Sequence, residues 1–255
     1  MIKFIKKFTQ TDFLIKLRNY LNIKPIVVNL KNIDSSYSIS DSFAWRTDNS
    51  YKTTFHYSDI LKNFFDIEDS SVIILIFNNK NELLKTIKNK KILRSNKFVI
   101  DKNLINGFEG YGLFYIFHES KNEIYSSIRN SCYTGFSFNN NLESFVHGNI
   151  MGGYKKINDD NNIQYGIVGK SFLKNNIYKI QKFFSDYDKV ELFFANSTKQ
   201  KINFLIGGNR FEIKTGESKI IDITSISEVE IKSNCYLIRP IVFLYRKNFI
   251  DVHHC

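Results

Sequence analysis

The chain has 255 residues, 43% of them apolar and 15% aromatic, with only 2 Pro, so it is long enough to bury a core and too hydrophobic to stay disordered. Its formal charge of +11 raises the question of an anionic partner. Three cysteines, Cys132, Cys235 and Cys255, are too few and too far apart for a disulfide framework, which points to a reducing, cytoplasmic setting.

The N-terminal stretch MIKFIKKFTQTDF starts with lysines, but charges interrupt any apolar run, and no small-residue cleavage site follows. Asp12 can cap a short amphipathic helix whose face carries Phe13, Leu14, Leu17, Tyr20 and Leu21, and Pro25 stops it. From there the chain reads as short runs of Ile, Val, Phe and Tyr parted by Asn, Asp, Gly and Ser clusters, the signature of strands and turns. Such runs include Ile26–Leu30, Ser71–Phe77, Lys97–Asp101, Tyr111–His118, Lys189–Ala195, Lys201–Ile206, Ser218–Ile223, Val229–Lys232 and Pro240–Tyr245. Strands at this spacing with few helices between them predict an all-β fold of antiparallel sandwich type.

An internal repeat refines that expectation. The run Val72–Asn78 has a counterpart in Val190–Asn196, and both follow a Phe-Phe pair, Phe64-Phe65 and Phe183-Phe184. Next come Ile100-Asp101 and Ile221-Asp222, then the Cys-Tyr pairs Cys132-Tyr133 and Cys235-Tyr236, then strands ending at His147 and His253. The order predicts two related antiparallel β-sandwich halves, 35–150 and 163–255, with residues 1–34 as the N-terminal helix and lead-in strand. The Gly/Asn-rich residues 151–162 read as a linker between them.

Within the second half, Val190–Asn196, Ile202–Ile206, Gly216-Glu217-Ser218, Ile220–Ile223 and the Ser233-Asn234 step toward Pro240-Ile241-Val242 resemble small all-β sandwiches of the sensory-rhodopsin-transducer type. The resemblance covers about 65 residues and implies a binding or transducing module rather than a catalyst; it assigns no functional residue.

The charge is local. Residues 1–31 hold seven basic residues against Asp12, and residues 80–102 hold eight against Glu82 and Asp101, so each segment carries +6 and the rest sums to about −1. Lysine supplies 29 of the 36 basic residues, a bias that lowers the weight of any single one. Nucleic acid is not the expected partner, because residues 80–102 interleave only Phe98 among their charges. Residues 1–22, with Phe4, Ile5 and Phe8 among lysines, suit peripheral contact with an anionic membrane as well as docking on the body.

The candidate ligand site centres on Trp45, Arg46, Asp48, Asn49 and Tyr51. An aromatic face beside Asp, Asn and Arg is the mixture a sugar ring requires, and the competing reading makes Trp45 core and Asp48-Asn49 a turn. His147 and Arg239 are candidates for a site between the halves. Cys132, His147, Cys235 and His253 lack the tight spacing of a zinc motif, and no metal or cofactor is expected. Acid–base pairs such as His56 with Asp59 and His118 with Glu119 are available, but no nucleophile elbow or phosphate-binding glycine loop accompanies them. The expected function is therefore non-catalytic binding of a glycan, a glycan intermediate or a protein partner. The alternative is an enzyme acting on a sugar-type substrate through His147 and Arg239.

Overall fold

The computed structural model describes residues 37–122, 129–130, 132–156, 163–165, 176–180, 186–199, 201–226, 229–233, 235 and 238–254, with Phe13, Leu14, Leu17 and Leu21. The N-terminal helix expected over residues 1–34 lies otherwise outside them. The fold is nearly all β: of the described residues 59% are strand and 7% helical. Among the described residues no helix is long and apolar enough to cross a membrane.

Among the described residues nineteen strands form four sheets. Sheet I has seven: β1 (Tyr37–Arg46), β3 (Ser71–Asn78), β4 (Leu83–Asn89), β6 (Tyr111–Glu119), β7 (Arg129–Asn130), β10 (Asn149–Lys156) and β11 (Gln164–Tyr165), in the order β11-β10-β1-β6-β3-β4 with β7 beside β1. Sheet II has β2 (Tyr51–Tyr57), β5 (Asn96–Ile100), β8 (Tyr133–Phe138) and β9 (Ser144–His147), in the order β5-β2-β8-β9. Sheet III has β13 (Lys189–Ala195), β16 (Ser218–Asp222), β18 (Ile241–Arg246) and β19 (Phe249–His254), in the order β16-β13-β18-β19. Sheet IV has β12 (Asn176–Ile180), β14 (Ile202–Ile206), β15 (Asn209–Ile213) and β17 (Val229–Ser233), in the order β12-β17-β14-β15. One short helix, α1 (Ile60–Phe65), joins β2 to β3.

The sheets pack face to face in a propeller-like succession, which corrects the expectation of two free-standing sandwich halves. Val72, Ile74 and Ile76 of β3 face sheet II with Phe55 and Ile100. Ile73, Leu75 and Phe77 of the same strand face sheet III with Phe193 and Phe243. On β13, Val190, Leu192 and Phe194 turn instead to Ile202, Phe204 and Ile206 of sheet IV. Sheets I and III are thus buried on both faces. The physical reason is visible in their strands: Val72–Phe77 and Leu113–Phe117 are unbroken apolar runs, which need cover on both sides, whereas a free sandwich strand alternates.

The strand order nevertheless repeats. Numbering β1–β6, β8 and β9 as one to eight, and β12–β19 likewise, gives 1-6-3-4 for sheets I (its central strands) and IV and 5-2-7-8 for sheets II and III. Ile100 and Ile221 then lie on strand five of their halves, Cys132 and Cys235 precede strand seven, and His147 and His253 lie on strand eight. The run Val72–Asn78 is strand three and Val190–Asn196 covers strand two, so that pair is not equivalent in position. The two runs share an environment: each is a doubly buried strand followed by a buried Asn that caps a turn. Asn78 Oδ1 accepts from the amides of Lys80 (3.0 Å) and Glu82 (2.9 Å), and Asn196 Oδ1 from that of Thr198 (3.0 Å).

Residues 151–156, read as linker, are strand: they belong to β10, which pairs with β1. Their glycines serve close approach, since a Cβ on Gly152 would lie 2.1 Å from the Ser42 amide nitrogen. Residues 157–162 lie outside the described set.

Because the core between sheets I and III belongs to both halves, they are expected to unfold together. Phe193→Ala, in that core, should cost about 3–5 kcal/mol and lower a single calorimetric transition. Two resolved transitions, with only one shifted, would contradict the shared core.

Candidate functional site

The end of β1 alternates strictly. Phe43 and Trp45 point into the core between sheets I and II, and Arg46 points toward sheet III. Trp45 is fully buried, donates its indole N–H to the Phe77 carbonyl (2.8 Å), and meets Phe108 edge-on. No face of the ring is open to a sugar, so the expected stacking platform is a core residue. Thr53 locks the adjoining turn, its hydroxyl accepting from the Arg46 amide (2.8 Å) and donating to the Arg46 carbonyl (2.9 Å). In that turn Asn49 takes a left-handed conformation (φ 48°), which asparagine tolerates well, and its side chain is exposed.

Arg46 ties the halves together. Its Nε and Nη2 grip Asp48 (3.0 and 2.6 Å), and Nη1 reaches Glu191 (2.6 Å) and the Tyr245 hydroxyl (3.1 Å) on sheet III. Tyr245 donates to the same Glu191 oxygen (2.5 Å), and Lys189 holds the other (2.5 Å). The guanidinium lies 4.2 Å from the centre of the Tyr51 ring and 4.8 Å from that of Phe243. Two cations thus meet two carboxylates in a site where burial opposes the Arg46 charge, but the Asp48 hydrogen bond and neighbouring groups more than offset it, so that its proton is held more firmly than in water. Burial likewise opposes ionisation of Glu191, and the Arg46 charge and its hydrogen bonds hold its carboxyl below the ordinary range. Trp45, Arg46, Asp48 and Tyr51 are therefore a joint rather than a ligand surface.

The open surface is the outer face of sheet II. Tyr51, Thr53, Phe55 and Tyr57 of β2 point inward, so the register places Lys97, His56, Tyr133 and His147 in one outward row across the four strands. The next row holds Val99, Thr54, Gly135 and Phe145. Tyr133 and Phe145 are 49% and 45% exposed. Tyr133 packs against His147 (4.1 Å between rings), and His56 meets Phe145 (5.7 Å). Phe145 lies across Gly135, where an added Cβ would come within 2.6 Å of its ring. Glu143 borders the rows, accepting from the Thr54 hydroxyl (2.5 Å) and standing 4.0 Å from Lys97. Aromatic faces and hydrogen-bonding groups are thus displayed together. Of this face the sequence reading singled out His147 as a binding residue and missed Tyr133 and Phe145; the usable signal was strand parity, which sets them opposite the inward Thr134, Phe136 and Val146.

The members of the other expected pair, His147 and Arg239, both act electrostatically on a third residue, His254. The edge strands β9 and β19 are bridged by side chains: Ser144 Oγ accepts from the Val252 amide (2.9 Å), Asn141 donates to the Asn248 carbonyl (2.6 Å), and His254 Nε2 lies 2.8 Å from the His147 carbonyl. Burial, reinforced by the charges of Arg239 and His147, lowers the tendency of His254 to protonate. His147 and the exposed Arg239 are thus both within electrostatic range of one half-buried imidazole.

The four repeated landmarks do not gather. Cys132 lies in the core between sheets I and II and Cys235 in that between III and IV, each pushed up to about 12 by burial. Among the described residues no three His, Cys, Asp or Glu side chains are grouped to hold a metal ion. Asp59 caps α1, accepting from the Lys62 amide (3.0 Å) and from Ser70, and Glu119 pairs with buried Lys155. His118 is buried against the Ser58 carbonyl (3.1 Å), and burial brings its pKa down to about 4. No protein-family model matches the chain, and comparison with curated proteins finds no relative.

Two outcomes are expected. Arg46→Ala should cost about 3–5 kcal/mol in urea unfolding by stranding buried carboxylates, with little dependence on salt; a loss under about 1 kcal/mol would show that the pairs are not coupled to folding. Because His118 binds its proton more weakly when folded, its contribution is complete above about pH 6.5 and lost as pH falls toward 4, about 3 kcal/mol at most. Unfolding of His118→Gln, followed between pH 7 and 4.5, should fall less steeply than that of the wild type; parallel curves would exclude this origin.

Proposed function

We propose that the protein is a non-catalytic binding module of two related halves, and that the outer face of sheet II takes a glycan. The observation that carries the reading is the placement of exposed Tyr133 and Phe145 in adjacent cross-strand rows with His56, Lys97 and His147. Tyr133 and Phe145 offer apolar ring faces to pyranose C–H groups, and the polar neighbours offer donors and acceptors to the hydroxyls. The strand order repeated between the halves supports their relation. The setting we propose is cytoplasmic, where Cys132 and Cys235 stay reduced in their separate cores.

The alternative, an enzyme using His147 and Arg239 on a sugar-type substrate, has in its favour that both act electrostatically on His254. A glycan array followed by titration tests both. Tyr133→Ala with Phe145→Ala should weaken glycan binding at least about tenfold while leaving the melting temperature nearly unchanged. Undiminished binding, or an array with no bound glycan, would overturn the proposal. Turnover of a bound sugar, abolished by His147→Ala, would favour the enzyme.

A further inference from the structure

At one end of sheets I and II, α1 and the loop 90–95 both adjoin Tyr57, the last residue of β2. Asn89 Nδ2 donates to the Tyr57 hydroxyl (3.4 Å), and Asn96 Nδ2 to the Tyr57 carbonyl (3.3 Å), two residues before the cap of α1. Both segments are built to display apolar side chains. Ile60 and Leu61 anchor α1 in the core, Asp59 caps its start, and Asp66 closes it in a left-handed conformation, leaving Phe64 76% exposed and Phe65 beside it. In the loop, Asn96 receives the Leu93 amide (3.0 Å) and donates to the Leu93 carbonyl (2.7 Å), while Asn89 receives the Lys91 amide (3.0 Å). Leu93 is 67% exposed among the exposed side chains of Lys90, Lys91 and Arg94.

Of the nearby carboxylates, Glu68 is met by a cation and Asp69 by neutral donors. Glu68 pairs with Lys62 (2.6 Å), and Asp69 accepts from Ser120 (2.5 Å), the Lys121 amide (2.9 Å) and Asn122 (2.9 Å); Asp66 stays exposed at the helix end. Large apolar groups turned outward, Leu93 among three cations in its own loop, fit a surface that is apolar just beneath a layer of negative charge. We infer that this end of the molecule docks on an anionic lipid bilayer, with Phe64 and Leu93 entering the interface and Lys90, Lys91 and Arg94 pairing with lipid headgroups. The inference is independent of the glycan reading, which concerns a different face, and it gives the basic segment 80–102 a use that does not require nucleic acid.

The test is co-sedimentation of the full chain with phosphatidylcholine vesicles, with and without about a third phosphatidylserine. The wild type should bind only the anionic vesicles. Phe64→Ser with Leu93→Ser, and separately Lys90→Glu, Lys91→Glu and Arg94→Glu together, should each weaken that binding at least about tenfold, with unchanged melting temperatures. Three results would overturn the inference. The wild type fails to sediment; or the serine variant binds like the wild type, making the end a general polyanion site; or Lys6→Glu with Lys7→Glu alone abolishes binding, making the N-terminal segment the anchor.

Discussion

Sheets I and III are covered on both faces, and this constraint organises the rest of the molecule. A strand such as β3 divides its side chains between two cores, Ile74 toward sheet II and Leu75 toward sheet III, so a change on either face is felt in both halves. Where β1 ends, the same alternation sends Trp45 one way and Arg46 the other. Arg46 enters a dry interface as a charge, and its burial is tolerable because Asp48, Glu191 and Tyr245 meet its donors and Tyr51 and Phe243 cover its plane. Two carboxylates and Lys189 balance the cluster. The joint thereby fixes how sheet III sits against sheet I, which a purely apolar contact would specify less sharply.

That division explains what the sequence reading got right and where it stopped. The all-β class was legible because short runs of Ile, Val and Phe parted by Asn and Gly carry a local signal. The repeat was legible in Ile100-Asp101, Cys132 and His147 with their counterparts, which keep equivalent places in the strand order. Val72–Asn78 and Val190–Asn196 matched for another reason: doubly buried strands draw on the same few residue types wherever they fall. The sharing of a core was written in those unbroken runs, but an apolar run does not name the sheet that will cover it. The linker reading failed at Gly152 because glycine serves close backbone approach as readily as a turn.

The candidate site was misplaced for a related cause. Trp45 beside Arg46, Asp48 and Asn49 has the composition of a sugar site, and composition does not reveal which way a strand faces. Once the register is known, Trp45 is inward by parity, and Arg46 spends its hydrogen bonds on the protein itself. The same rule turns Tyr133 and Phe145 outward, on strands too short to advertise themselves. His147, singled out for its place in the repeat, lies in the outward row, and His254, which rests on the His147 carbonyl, feels the charge of Arg239. The proposed ligand surface and the joint are therefore separated by the thickness of sheet II, with Tyr51 on the inward side and Tyr133 and His56 on the outer.

This separation is the central claim, and side-chain resonances of tyrosine and histidine, followed during titration with a bound glycan, test it most directly. The account predicts that Tyr133, His56 and His147 shift with a common affinity while Tyr51 and Tyr245 stay in place. Shifts confined to Tyr51 and Tyr245, with the outer row unmoved, would contradict it and return the site to the buried joint.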